Sequence, residues 1–248
     1  MPSPPISDEV RSVVEQWVET ESPAVIFDFN GTLSDDEPIL YRIFCELFAT
    51  HLGWRMTPED YQRDLLGHSD REIIEKAIAR HGSGADIEHL LQLRKQRYRE
   101  MVAEDNPIRD DTVGLVRLLA DNHVPMAIVT GAQRDDVMAV LANSPVGEFI
   151  DIVVAEEDVR RGKPDPEGFL AGAALMNRHP AGTLVFEDSI PGVLGARAAG
   201  MRCIAVGARP GAELLEATPA VVGWLSAALV SHVFPASEGG LGQSTTLI

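Results

Sequence analysis

Lysine is nearly missing from this chain of 248 residues: of 21 basic side chains only Lys76, Lys95 and Lys163 are lysines, and against 38 acidic residues the formal net charge is −17. Such a balance argues against binding nucleic acid or an anionic membrane through a basic surface. It does not exclude a phosphorylated small molecule, because a few positive groups in a pocket suffice, of the kind that Lys163, Arg71 and Arg134 offer. Cysteine is as scarce. Cys45 and Cys203 lie far apart in apolar contexts, which argues for core thiols and against a disulfide or a metal site. No apolar run approaches the roughly 18 residues of a membrane span, and Met1-Pro2-Ser3-Pro4-Pro5 lacks the basic and apolar regions of a signal peptide. The expectation is a soluble cytoplasmic protein, monomer or homodimer, without internal repeats.

What is present centres on Val25-Ile26-Phe27-Asp28-Phe29-Asn30-Gly31-Thr32, an apolar run that stops at a carboxylate followed by Asn-Gly-Thr. Parallel strands of open α/β sheets present reactive groups just beyond their carboxyl ends, where Gly permits a sharp turn and frees backbone amides for an anion. The same residues also suit a plain Asn-Gly turn in which Asp28 only accepts loop hydrogen bonds. Three further segments have the same form or sit between such runs. Val124 to Val129 ends at Thr130-Gly131-Ala132, Leu184-Val185-Phe186 ends at Glu187-Asp188-Ser189, and Arg161-Gly162-Lys163-Pro164-Asp165-Pro166 is a turn-rich loop carrying one lysine.

The order of elements agrees with an α/β fold. Val10, Val13, Val14, Trp17 and Val18 predict an amphipathic helix capped by Ser7. From Asp36 to Asn106 the strand signal vanishes. Helical apolar faces run through Ile39 to Phe48, Tyr61 to Leu66, Ile73 to Ile78 and Ile87 to Val102, the last through Leu90, Leu91, Arg94 and Tyr98. After Pro107, helices at 112–122, 134–143, 166–176 and 191–199 alternate with strands at 125–130, 150–155, 183–187 and 202–206. Alternating βα units predict a doubly wound parallel sheet with right-handed crossovers. The division expected is a core at 1–35 and 107–234, a small all-helical insert at 36–106, and a disordered Gly/Ser/Thr-rich tail at 235–248.

Together the four motifs resemble those of the haloacid dehalogenase superfamily, over residues 23 to 210, and the insert looks like the helical cap of its phosphatase and phosphoglucomutase branch. The resemblance implies Asp28 as nucleophile, with Asn30 and Lys163 completing the catalytic group. It implies a phosphoryl site of Thr130, Gly131 and Lys163, and Mg²⁺ held by Asp28, the main-chain carbonyl of Asn30 and Asp188, with Glu187 behind. In the cap, His68, Ser69 and Arg71 are candidates for the rest of the substrate, although Ser69 and Glu72 also spell a capping box. Glu187-Asp188 also suits a plain acidic cap for the following helix. Asn30 departs from the pattern, for phosphatases of this superfamily carry there an aspartate that serves as general acid and base. An amide cannot move that proton, a loss of about a hundred- to ten-thousand-fold. The resemblance therefore implies a phosphatase acting on a small sugar-phosphate-like metabolite through an aspartyl phosphate. Alternatives are a phosphate-binding protein with impaired turnover, or phosphotransfer on an activated substrate such as an acyl phosphate. Phosphonatase and mutase chemistry are disfavoured, since Lys76 lies outside the cap loop and Leu40 stands where the mutase has a histidine.

Overall fold

The computed structural model describes residues 6–65, 68–81, 84–208 and 210–234. The tail expected at 235–248, and Leu66 of the short-helix face, lie outside the described residues. Helix α1 (Asp8–Val18) begins where Ser7 accepts a hydrogen bond from the Val10 N–H, with Asp8 and Glu9 in the first turn as the helix dipole favours. Its Trp17 is fully buried, and the indole N–H donates to Ala24 O and Gly182 O at 3.0 and 3.1 Å. One side chain thus ties α1 to the starts of two neighbouring strands.

Those strands are β1 (Ala24–Phe27) and β4 (Thr183–Glu187), the centre of a six-stranded all-parallel sheet of order β3-β2-β1-β4-β5-β6. The others are β2 (Met126–Val129), β3 (Ile152–Val154), β5 (Arg202–Val206) and the two-residue β6 (Val221–Val222). Period-two alternation divides β1 between the faces. Val25 and Phe27 enter a large core on one side, and Ala24 and Ile26 enter a second on the other, beneath α8 (Glu167–Leu175) and α9 (Ile190–Ala198). The strand order reverses between β1 and β4, which makes the crevice at their carboxyl ends the place for a ligand.

Between β1 and α6 (Asp110–Asp121) the regular elements among the described residues are helices: α2 (Glu37–His51), α3 (Pro58–Asp64), α4 (Asp70–His81) and α5 (Ile87–Glu104). Thr57 and Asp60 close a capping box on α3. Helix α5 packs on α2 and α4 and also on α7 (Arg134–Leu141), which follows β2. Helix α10 (Ala212–Ala217) and β6 are too short to register as apolar runs in the sequence. Among the described residues no helix is long and apolar enough to cross a membrane. Cys203 is buried and Cys45 half-buried, and both are free thiols.

Candidate active site

Asp28 is the first residue past β1, and its N–H still donates to Phe186 O of β4 at 2.9 Å. The chain then folds tightly, with the Ser34 N–H donating to Phe29 O at 2.9 Å and the Gly31 N–H to Ser34 O at 2.8 Å. Gly31 has φ +76°, and a β-carbon there would overlap the Asp188 carboxylate. Only glycine satisfies both constraints. Gly192 likewise leaves room for the Glu187 carboxylate, so two glycines allow three acids to crowd together.

Lys163, in the loop between β3 and α8, donates to Asp28 Oδ1 and to Glu187 Oε1, the latter at 2.6 Å. Glu187 Oε2 accepts from the N–H and hydroxyl of Ser189 at 2.6 and 2.8 Å. Ser189 in turn caps α9, accepting from the Gly192 N–H at 3.1 Å, so neither Glu187 nor Asp188 is the cap of that helix. Burial pushes the Asp28 carboxyl up to about 7 against the pull of Lys163. Burial, reinforced by the charges of Asp28 and Glu187, raises Asp188 well above the carboxylate range. Burial alone would lower Lys163, but the two carboxylates it touches outweigh this and raise it. Lys163 is therefore a fixed positive charge.

Asp28, Glu187 and Asp188 each offer an oxygen within 4.8 Å of the others. Burial, with three carboxyl groups against one ammonium, makes Asp28 and Asp188 hold their protons tightly, and an all-oxygen donor set of this kind suits a hard divalent cation that would displace those protons. Thr130 lies just past β2, the neighbour of β1, where Phe27 is level with Ile128. Its Oγ1 accepts from the Ala132 N–H at 3.0 Å and retains a hydroxyl hydrogen to donate. Gly131 adjoins open space.

The side chain of Asn30 points to Asp36, whose Oδ2 accepts from Asn30 Nδ2 at 2.6 Å. The three candidates from the helical insert stand apart. His68 Nε2 lies 2.6 Å from Lys76 Nζ, Ser69 and Glu72 form the capping box, and Arg71 pairs with Glu88 of α5 at 2.6 Å. Arg134 is likewise committed to Asp158 and to Val153 O. A cleft of about 670 Å³ opens beside Gly31 and Asp188, with Trp224, Pro210 and Leu214 among its described lining residues. None of His68, Ser69 and Arg71 is among them.

Five residues in a buried network that begins at Asn30 carry no motif. Asp36 and Tyr98 are buried and joined at 2.6 Å, and buried Arg94 pairs with Asp136 of α7 and with Asp70 of α4. The sequence held one signal for them, an arginine and a tyrosine standing in the apolar stripe Leu90, Leu91, Arg94, Tyr98, Val102.

The family model described as haloacid dehalogenase-like hydrolase matches residues 25–206. Protein CbbY of Rhodobacter capsulatus is 33% identical over 198 residues, 74% of this chain and 85% of its own length. Fructose-1-phosphate phosphatase YqaB of Escherichia coli is 31% identical over 186 residues, 73% of this chain and 95% of its own. Among solved structures, an Asp-to-Asn mutant of CbbY from Rhodobacter sphaeroides in complex with xylulose-(1,5)bisphosphate superimposes with a TM-score of 0.65. It is 27% identical and covers 77% of this chain and 88% of that one.

Proposed function

The chain belongs to the haloacid dehalogenase-like hydrolases, and from that premise we propose that it is a Mg²⁺-dependent phosphatase of a small phosphorylated metabolite, sugar-phosphate-like in kind. The observation that carries this is the contact of Lys163 with both Asp28 and Glu187 beside Asp188, at the carboxyl ends of β1 and β4. Asp28 is the nucleophile in this reading. Its carboxylate oxygen forms a bond to phosphorus while the bond from phosphorus to the leaving oxygen breaks, and the leaving oxygen takes the electron pair. Water then attacks the aspartyl phosphate, releasing inorganic phosphate and regenerating the carboxylate. Lys163 and the Thr130 hydroxyl, with the Gly131 amide, hold the phosphoryl oxygens.

The donor set fits Mg²⁺, which Asp28, Asp188 and the Asn30 main-chain carbonyl would hold with Glu187 behind, and which would supply positive charge to the phosphoryl group. Because the ligand at position 30 is a main-chain carbonyl, the side chain there, turned to Asp36, leaves it unaffected. Residues 36–106 are read as a cap over a core of 1–35 and 107–234, excluding bulk water from the reaction. His68, Ser69 and Arg71 would serve the substrate only if cap movement freed them from their present partners. Relatives named for fructose 1-phosphate and bound to a sugar bisphosphate support the substrate class.

A second reading, turnover confined to good leaving groups such as acyl or aryl phosphates, is favoured by one observation. Position 30 offers an amide, which can donate to a leaving oxygen but cannot protonate it. Phosphate release from p-nitrophenyl phosphate and from an alkyl phosphate separates the two. The expected outcome is Mg²⁺-dependent hydrolysis of both, faster on the aryl ester by about a hundredfold or more, and abolished by Asp28→Asn or by a chelator. Activity that survives Asp28→Asn would refute the nucleophile.

A further inference from the structure

Asp36 stands at the N-cap of α2, where an aspartate ordinarily turns its carboxylate onto the free N–H groups of its own helix. Here it makes no such bond. Its Oδ2 accepts instead from Asn30 Nδ2 and from the Tyr98 hydroxyl, each at 2.6 Å. Asp36 and Tyr98 are fully buried, and Asp36 Oδ1 meets no donor among the described residues. A buried carboxylate with one unsatisfied oxygen costs free energy, and the forgone cap costs about 1 kcal/mol more. Stability alone does not account for the arrangement; what it accomplishes is to fix one N–H of the amide at position 30.

The connection continues behind Tyr98. Arg94, one turn earlier on α5, places its guanidinium 4.8 Å from the centre of the Tyr98 ring. It pairs with Asp136 of α7 and lies 2.9 Å from Asp70 of α4, close enough for an ion pair though not aligned as a hydrogen bond. The hydroxyl that shares Asp36 with Asn30 is therefore carried by the helix that a buried ion pair seats on α7.

We propose that Asp36 and Tyr98 are positioning residues that hold the Asn30 amide in one rotamer, and that the rotamer depends on how α5 sits on α7. The inference rests on the phosphatase reading, in which position 30 faces the leaving oxygen. It has a chemical corollary. An amide donates to Asp36, whereas a carboxylate at 30 would confront it acceptor to acceptor. Residues 30 and 36 are thus a matched pair, and an ionised carboxylate at 30 finds a donor at 36 only if that residue is changed to one that supplies it.

Four variants test this: Asp36→Leu, Asp36→Asn, Asn30→Asp and the swap Asn30→Asp with Asp36→Asn. The readouts are kcat and KM on p-nitrophenyl phosphate and glycerol 3-phosphate, and protection of the position-30 side-chain amide from hydrogen exchange by NMR. Asp36→Leu should lower kcat about tenfold or more with KM unchanged and expose the amide to exchange. Asp36→Asn keeps an oxygen acceptor and should restore most of both. Asn30→Asp alone should leave the alkyl-to-aryl rate ratio nearly where it was, and the swap should raise it about tenfold. Retained amide protection and kcat in Asp36→Leu, or a gain in Asn30→Asp that equals the swap, would overturn the proposal. If the wild type turns over neither ester the phosphatase reading fails, and amide protection in Asp36→Leu still decides whether Asp36 positions Asn30.

Discussion

Asp36 shows how much one side chain can depend on its surroundings. Burial raises its carboxyl to about 6 from an ordinary value of 3.8, although Tyr98 and Asn30 both donate to it and pull the other way. A carboxyl with a higher pKa folded than unfolded binds its proton more tightly in the folded state. Its contribution to stability is fully present below about pH 4 and is lost as pH rises through about 6. Removing the charge with Asp36→Asn should therefore leave Tm unchanged near pH 4 and raise it at pH 8. The gain is on the order of 1–3 kcal/mol, or roughly 2–10 °C for a chain of this size. Thermal denaturation in the presence of a chelator, so that bound metal plays no part, measures this. A Tm difference that stays constant from pH 4 to 8 would show that Asp36 is not the titrating group. Sequence alone makes Asn30 look like a single defect that an aspartate would repair; its partner is visible only in the folded chain.

At the scale of elements, most of the architecture was legible because its signals are local. Ser7 before Val10, the short apolar face at Tyr61 and Leu65, and apolar runs ending at Asp28, Thr130 and Glu187 each lie within one stretch of chain, and the helices and strands fall there. Pairings across long separations were not legible. Arg94 meets Asp136 and Asp36 meets Tyr98 only because α5 packs against α7 and α2. Arg71 and Arg134, read as groups for an anionic substrate, are instead paired with Glu88 and Asp158. The seat of α5 on α7 makes its own prediction. Arg94→Met strands two carboxylates, one of them deeply buried, and should cost about 3–5 kcal/mol. Adding Asp136→Leu should recover part of that loss, because an apolar pair of similar volume dispenses with the desolvation of both charges. Urea midpoints for the two singles and the double provide the cycle; losses that simply add would show that the two side chains do not act as a pair.

For the molecule as a whole, topology and charge converge on one corner. The sheet order reverses between β1 and β4, and the carboxylates that follow those two strands are the ones that meet. A chain of net charge −17 draws on one of its three lysines to balance them. The four motifs were readable in the sequence because three end an apolar strand and the fourth is a turn-rich loop between a strand and a helix. The engagement of Glu187 by Lys163 and Ser189 was not, since it depends on Gly192 leaving space. The central claim is that Asp28 attacks phosphorus, and it is tested most directly by fluorine NMR of the protein with fluoroberyllate and Mg²⁺. Fluoroberyllate on a carboxylate mimics an aspartyl phosphate and forms without any proton transfer, so Asn30 does not obstruct it. The wild type should show a bound fluoroberyllate signal and Asp28→Asn none, because an amide is a poor nucleophile and a weak metal ligand; an adduct absent from the wild type, or formed equally by Asp28→Asn, would contradict the account.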